Sequence, residues 1–120
     1  MKYEELTGKI IGCAMKVHSY FGMGFTELIY HRSLVVELEK MGLQSEGEIE
    51  KNIFYSGICV GKKRLDLIVE DKVLIELKAV PELNKGCFRQ LINYLKVFNM
   101  EVGLLLNFGS ASLQFKRFVN

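Results

Sequence analysis

The stretch that most constrains this chain reads Arg64-Leu65-Asp66-Leu67-Ile68-Val69-Glu70-Asp71-Lys72-Val73-Leu74-Ile75-Glu76-Leu77-Lys78. Two aliphatic runs with period-two alternation, 63–69 and 73–80, flank the polar turn Glu70-Asp71-Lys72, the pattern of an antiparallel hairpin. Alternation places Leu65, Leu67 and Val69 on one face, with Val73, Ile75 and Leu77 matching them across the turn. Asp66 and Ile68 fall on the other face with Leu74, Glu76 and Lys78. A three-residue loop pairs Val69 with Val73 and sets Asp66 opposite Glu76, their Cβ atoms ~5 Å apart. A two-residue loop would send the carboxylates to opposite faces. Only the odd loop collects all these aliphatics on one side, so it is the one expected. Two facing carboxylates repel unless a cation or a proton lies between them, and two acids with a lysine on one patch of sheet suit metal-assisted hydrolysis. The same residues also read as the solvated face of an edge hairpin with Lys78 paired to Glu76. The hairpin by itself does not choose.

The segments before it are helical and then extended. From Tyr3 to about Tyr20, Leu6, Ile10, Cys13 and Val17 recur at helical spacing. His18 near the end of that helix favours the dipole, a structural rather than catalytic reading. Gly22 and Gly24 in Phe-Gly-Met-Gly-Phe break the chain. A second helix is expected from about Thr26 to Met41, closed by Gly42, with Tyr30, Leu34, Leu38 and Met41 as its buried stripe. Glu27 projects onto that same face one turn before Tyr30. It either serves the helix N-terminus, where acids are favourable, or looks into the cavity of Asp66 and Glu76; the spacing leaves both open. Strands follow over 48–55 and from Ile58. Ser56-Gly57 turns between them, and Gly61 marks a bulge or bend that interrupts the second before Arg64.

Beyond Pro81, which stops the hairpin's second strand, a third helix is expected over about 83–98, with Phe88, Leu91, Leu95 and Phe98 as its stripe. Gln90 and Tyr94 flank that stripe four residues apart and can reach towards whatever the helix covers; a half-exposed tyrosine on an amphipathic helix is the plainer alternative. The nearly continuous apolar run 100–108 reads as a central strand buried on both faces, and 113–119 as a last strand. The order α-α-β-β-β-α-β-β gives an α/β (α+β) fold, a mixed sheet with helices packed against it.

At 120 residues the chain is expected to form one domain, 1–120. With 49% hydrophobic and 25% charged residues it has the composition of an ordinary globular protein, and a net charge of +2 selects no partner. Cys13, Cys59 and Cys87 show no ligand spacing. They read as reduced, inertly packed thiols of a cytoplasmic protein, which argues against zinc. No run is long enough to span a membrane, and the acidic start is unlike a signal peptide.

With these positions laid out, the chain resembles a known pattern. Gly24-Phe25-Thr26-Glu27-Leu28-Ile29-Tyr30 matches Gly-x-x-Glu-x-x-Tyr, the signature of the GxxExxY family, which is placed in the PD-(D/E)xK nuclease superfamily. Asp66 with Glu76-Leu77-Lys78 is similar to that superfamily's Asp…Glu-x-Lys core. Gln90-Leu91-Ile92-Asn93-Tyr94 is similar to the Gln-x-x-x-Tyr helix of its exonuclease-like branch. Val102-Gly103-Leu104-Leu105-Leu106-Asn107-Phe108-Gly109 looks like the last core strand. The resemblance covers roughly residues 6–117. Each motif is weak alone, but four of them occur in order on the elements the pattern requires. Leu65 replaces the proline before Asp66, a common departure. Cys87 stands where many members carry histidine, which would slow or silence this copy if that histidine is catalytic.

The resemblance implies a restriction-endonuclease-like core and a metal-dependent nuclease acting on DNA or RNA. Asp66, Glu76 and the Leu77 carbonyl would hold Mg²⁺ or Mn²⁺, hard ions suited to oxygen ligands. Glu27 would be a further or water-mediated ligand. Lys78 would position the attacking water or stabilise the phosphorane-like transition state, with Gln90 and Tyr94 orienting it. Lys62, Lys63, Arg64 and Arg89 are candidate contacts to the nucleic-acid backbone. An inactive nucleic-acid-binding module and a small interaction protein are the alternatives. So small a nuclease is a candidate homodimer, although the sequence carries no interface signal.

Overall fold

In a computed structural model describing residues 2–120, the chain folds in the order α1 (Glu4–Phe21), α2 (Glu27–Lys40), β1 (Ser45–Tyr55), β2 (Ile58–Val69), β3 (Val73–Lys78), α3 (Lys85–Val97), β4 (Val102–Asn107) and β5 (Gln114–Val119). The strands form one five-stranded sheet in the order β1-β2-β3-β4-β5. All neighbours are antiparallel except β3 and β4, which are parallel and joined through α3. The expected α-α-β-β-β-α-β-β arrangement, a mixed sheet flanked by helices, is the one found.

Two apolar layers hold it. On one side Ile10, Val17, Tyr30, Leu34 and Leu38 of α1 and α2 pack against Leu67, Val69, Val73, Ile75 and Leu77. On the other, Leu91 and Leu95 of α3 lie on Ile68, Leu74 and Leu105. β3 and β4 are covered on both sides, which explains their nearly unbroken aliphatic sequences.

The hairpin register agrees with the odd loop: Val69 pairs with Val73, Ile68 with Leu74 and Leu67 with Ile75. Five of the six aliphatics share the α1/α2 layer, but Leu65 packs under α3. The break coincides with a distortion in β1, where Glu48 has φ 53° and the Glu48–Asp66 rung is missing from the ladder. A period-two reading cannot foresee a local twist of that kind.

Other differences are small and have physical reasons. Met41 is 51% exposed rather than part of the stripe, because α2 has already ended. Gly42, at φ 73°, donates to the Glu39 carbonyl and Leu43 to the Leu38 carbonyl, a Schellman closure. The bulge expected at Gly61 is present, with Val60 beside it as the extra residue where the register shifts opposite Ile53 and Phe54, but β2 runs through it unbroken from Ile58. Asn84 caps α3, its Oδ1 accepting from the Cys87 amide at 3.0 Å, so the helix starts at Lys85 rather than at 83. Cys13 is buried as expected, whereas Cys59 is exposed on the β1–β2 hairpin. His18 is buried, and its Nε2 lies 2.9 Å from the Ser110 carbonyl, a structural tie between α1 and the β4–β5 connection. No described helix is long and apolar enough to cross a membrane.

Candidate active site

The β2–β3 ladder stops at the Leu67–Ile75 rung. The next residues outward are Asp66 and Glu76, opposite each other where the strands part. There a side chain replaces the backbone ladder: the Leu77 N–H donates to Asp66 Oδ2 at 2.8 Å. On the β4 side the Lys78 carbonyl accepts from the Phe108 amide. Because amides and carbonyls alternate sides along a strand, the Leu77 carbonyl turns with its N–H into the gap beside Asp66.

Glu76 is 5% exposed, and its Oε1 is buried without a hydrogen-bond partner. Burial, then the side chain and charge of Asp66, push the Glu76 carboxyl up to about 9, opposed by the Asp66 backbone and then by Lys78. An orphaned buried oxygen beside a second acid costs ~1–3 kcal/mol or more for a charged group. A cation between the two groups would remove that cost.

Lys78 donates from Nζ to Gln90 Oε1 at 3.3 Å, so α3 reaches the site as its spacing allowed. Tyr94, one turn further, is half-buried. Burial and then the charge of Glu76 raise its phenol, an interaction with Gln90 lowers it, and Asp66 raises it again. The helix therefore supplies an anchor for Lys78 and a phenol that senses the acid pair.

Glu27 opens α2, and the Thr26 side chain makes no cap. Its carboxyl is raised by burial and then by Asp66, and lowered by Lys78. Glu27, Asp66, Leu77, Arg64 and His31 line one cavity of about 270 Å³. Between the two sequence readings, the geometry favours the one facing the acids. Among the described residues, however, no three His, Cys, Asp or Glu side chains form a ready metal cluster.

The turn before α2 explains the remaining motif positions. Gly24 adopts φ 107°, which side chains rarely tolerate. Tyr30 is fully buried; its hydroxyl donates to the Gly22 carbonyl at 2.5 Å and accepts from the Phe25 amide at 3.2 Å. Its ring stacks on Phe108 at 4.6 Å. Tyr30 thus pins the turn to the core and fixes where Glu27 begins its helix.

The basic residues do not gather into one patch. Arg64 lines the cavity and pairs with Glu48 at 2.7 Å. Lys62 and Lys63 lie farther along β2 and, by alternation, on opposite faces. Arg89 is exposed on α3, adjacent in sequence to Gln90. Cys87 packs against the apolar cluster under α3. The sequence reading missed His31, which lies one turn after Glu27 and lines the same cavity. A Cβ at Gly47 would come within 3.0 Å of His31 Nε2, so the glycine leaves room for the ring. The spacing from Glu27 was the available signal.

No curated protein matches the sequence. One solved structure it resembles is described as the crystal structure of SSO0001, with a TM-score of 0.58 and 23% identity, covering 99% of this chain and 60% of that one. The likeness is one of fold, and this chain spans less than two thirds of that protein. Over residues 4–118 the sequence matches the PD-(D/E)XK nuclease superfamily, and the chain belongs to it.

Proposed function

We propose that the chain is a metal-dependent nuclease of the GxxExxY branch, hydrolysing phosphodiester bonds of nucleic acid with Mg²⁺ or Mn²⁺. The observation that carries this reading is the unpartnered, buried Glu76 Oε1 beside Asp66. The donors fit such an ion: two carboxylates and the Leu77 carbonyl are hard oxygens. Glu27, which lines the same cavity as Asp66, would be a further or water-mediated ligand. The bound metal would polarise the scissile phosphate and lower the pKa of a water.

The chain's own residues supply the rest. Asp66 is fixed by the Leu77 amide and so holds its free oxygen in place. Lys78, tethered by Gln90, presents a positive charge to the water and to the charge growing on the phosphate. Tyr94 backs Gln90 and keeps that tether aligned. Arg64 at the cavity rim meets the nucleic-acid backbone.

The test pairs melting with cleavage. Mg²⁺ or Mn²⁺ at ~100 times its Kd should stabilise the parent by ~2.7 kcal/mol, and Asp66→Ala should abolish that shift. A DNA or an RNA substrate should be cut by the parent and at least ~100-fold more slowly by Asp66→Ala. A variant that cuts as fast as the parent under the same metal would overturn the assignment. Metal stabilisation without any cleavage would identify the inactive binding module instead.

A further inference from the structure

β1 and β2 run well past the sheet they belong to. β3 pairs with β2 only at Leu67, Ile68 and Val69, whereas β1 follows β2 out to the Tyr55–Ile58 rung. From Phe54 to Arg64 every residue is exposed. A two-stranded ribbon with neither a third strand nor a covering helix is marginal in water. This one also presents Phe54, Tyr55, Ile58 and Val60 at its end, 61%, 73%, 67% and 62% exposed.

Register sorts its side chains. Ile49 and Leu65 form a rung of the face that packs under α3. Moving outward on that face, Lys51 stands opposite Lys63, Ile53 opposite Gly61, and Tyr55 opposite Ile58 beyond the bulge. Like charges directly opposite each other repel, and Lys51 is half-buried. The ribbon's one acid over 50–64, Glu50, pairs with Arg64 on the other face. The α3-side face is therefore a lysine pair with no counter-charge on the ribbon, followed by an aromatic and aliphatic tip.

We propose that this ribbon clamps duplex nucleic acid lying across the Asp66–Glu76 site. Lys51 and Lys63 take phosphates, and the Tyr55–Ile58 rung enters a groove. The inference rests on the nuclease reading and extends it to the flank of the substrate. A polyanion is the occupant that two facing lysines require, and basic residues beside an inserted apolar wedge are how minor-groove binders hold a duplex. Asp66 lies on the same strand as Lys63 and Ile58. At ~3.3 Å per residue Ile58 is roughly 26 Å from Asp66, a reach of ~8 base-pair steps at ~3.4 Å each.

The test is equilibrium binding of the full chain to a fluorescent DNA duplex of about 24 base pairs, roughly three times that reach, in chelator and across a salt series. The parent should bind, with affinity falling as salt rises. Lys51→Gln with Lys63→Gln should flatten the slope of log K against log salt by about 2. Tyr55→Ser with Ile58→Ser should weaken binding about tenfold at unchanged slope. The variants alter exposed side chains and the half-buried Lys51, and retained melting temperatures would confirm their fold. If both bind as the parent does, the clamp is overturned while the nuclease reading stands. If the parent binds no nucleic acid, both fall. A Tyr55/Ile58 variant that turns a dimer into a monomer without touching DNA binding would make a second copy the occupant and overturn the clamp.

Discussion

Glu76 and Lys78 sit two residues apart on one strand yet carry opposite burdens. Glu76 is buried with an oxygen unsatisfied, while Lys78 is half-buried and already has a partner in Gln90. The two should therefore fail differently. Lys78→Met keeps the apolar stem and every oxygen donor, so metal-dependent stabilisation should persist while cleavage falls at least ~100-fold. Parallel melting and single-turnover cleavage would check this, and a variant that loses metal stabilisation as well would make Lys78 a structural support. The Asp66, Glu76 and Lys78 positions were legible because a hydrophobic hairpin fixes its own register. Leu65 was not, because its displacement depends on the distortion at Glu48. Nor was Asn107, a polar residue in an aliphatic strand. It is fully buried, accepting from the Val80 and Gly109 amides and donating to the Val80 carbonyl and Gln114 Oε1. Gly109 and Gln114 are near in sequence, but Val80 lies 27 residues away, and no local pattern announces that tie.

At the scale of elements, the site is assembled by three pieces that each end close to it. β2 and β3 stop pairing, α2 begins, and α3 crosses over with Gln90 and Tyr94 towards the gap. The element order was readable from periodicity, since each helix keeps a stripe and each strand its alternation. The point where α2 starts was less so, because it depends on a turn held by a tyrosine from inside the helix. Tyr30→Phe removes only the hydroxyl that bridges the Gly22 carbonyl and the Phe25 amide. It should cost ~1–3 kcal/mol in chemical unfolding, since a part-buried carbonyl and amide lose their partner. It should also weaken metal binding, measured by calorimetry, because Glu27 follows the turn. Unchanged metal affinity alongside the lost stability would mean that Glu27 takes no part in holding the ion.

For the whole molecule, the acid pair links stability to pH in a direction opposite to the usual acid denaturation. The Glu76 carboxyl is held at about 9 in the folded, metal-free chain, against ~4.3 for a free glutamate. The folded state therefore keeps a proton that the unfolded state gives up. Its contribution is fully present below the unfolded value and is lost as pH rises towards the folded one. Glu27 and Tyr94 are raised too, chiefly by burial and by the same acids, so their contributions have the same sign. In chelator, the urea midpoint should fall between about pH 5 and about pH 9. Glu76→Gln, which keeps the shape and cannot ionise, should flatten that decline. Mg²⁺ should reverse it in the parent but not in the variant, because a bound cation favours the ionised carboxylate and has its ligand only in the parent. A midpoint that rises with pH in chelator would show that Glu76 ionises freely in the folded protein. The acid pair, with Glu76 buried, would then carry its charges without needing a metal between them.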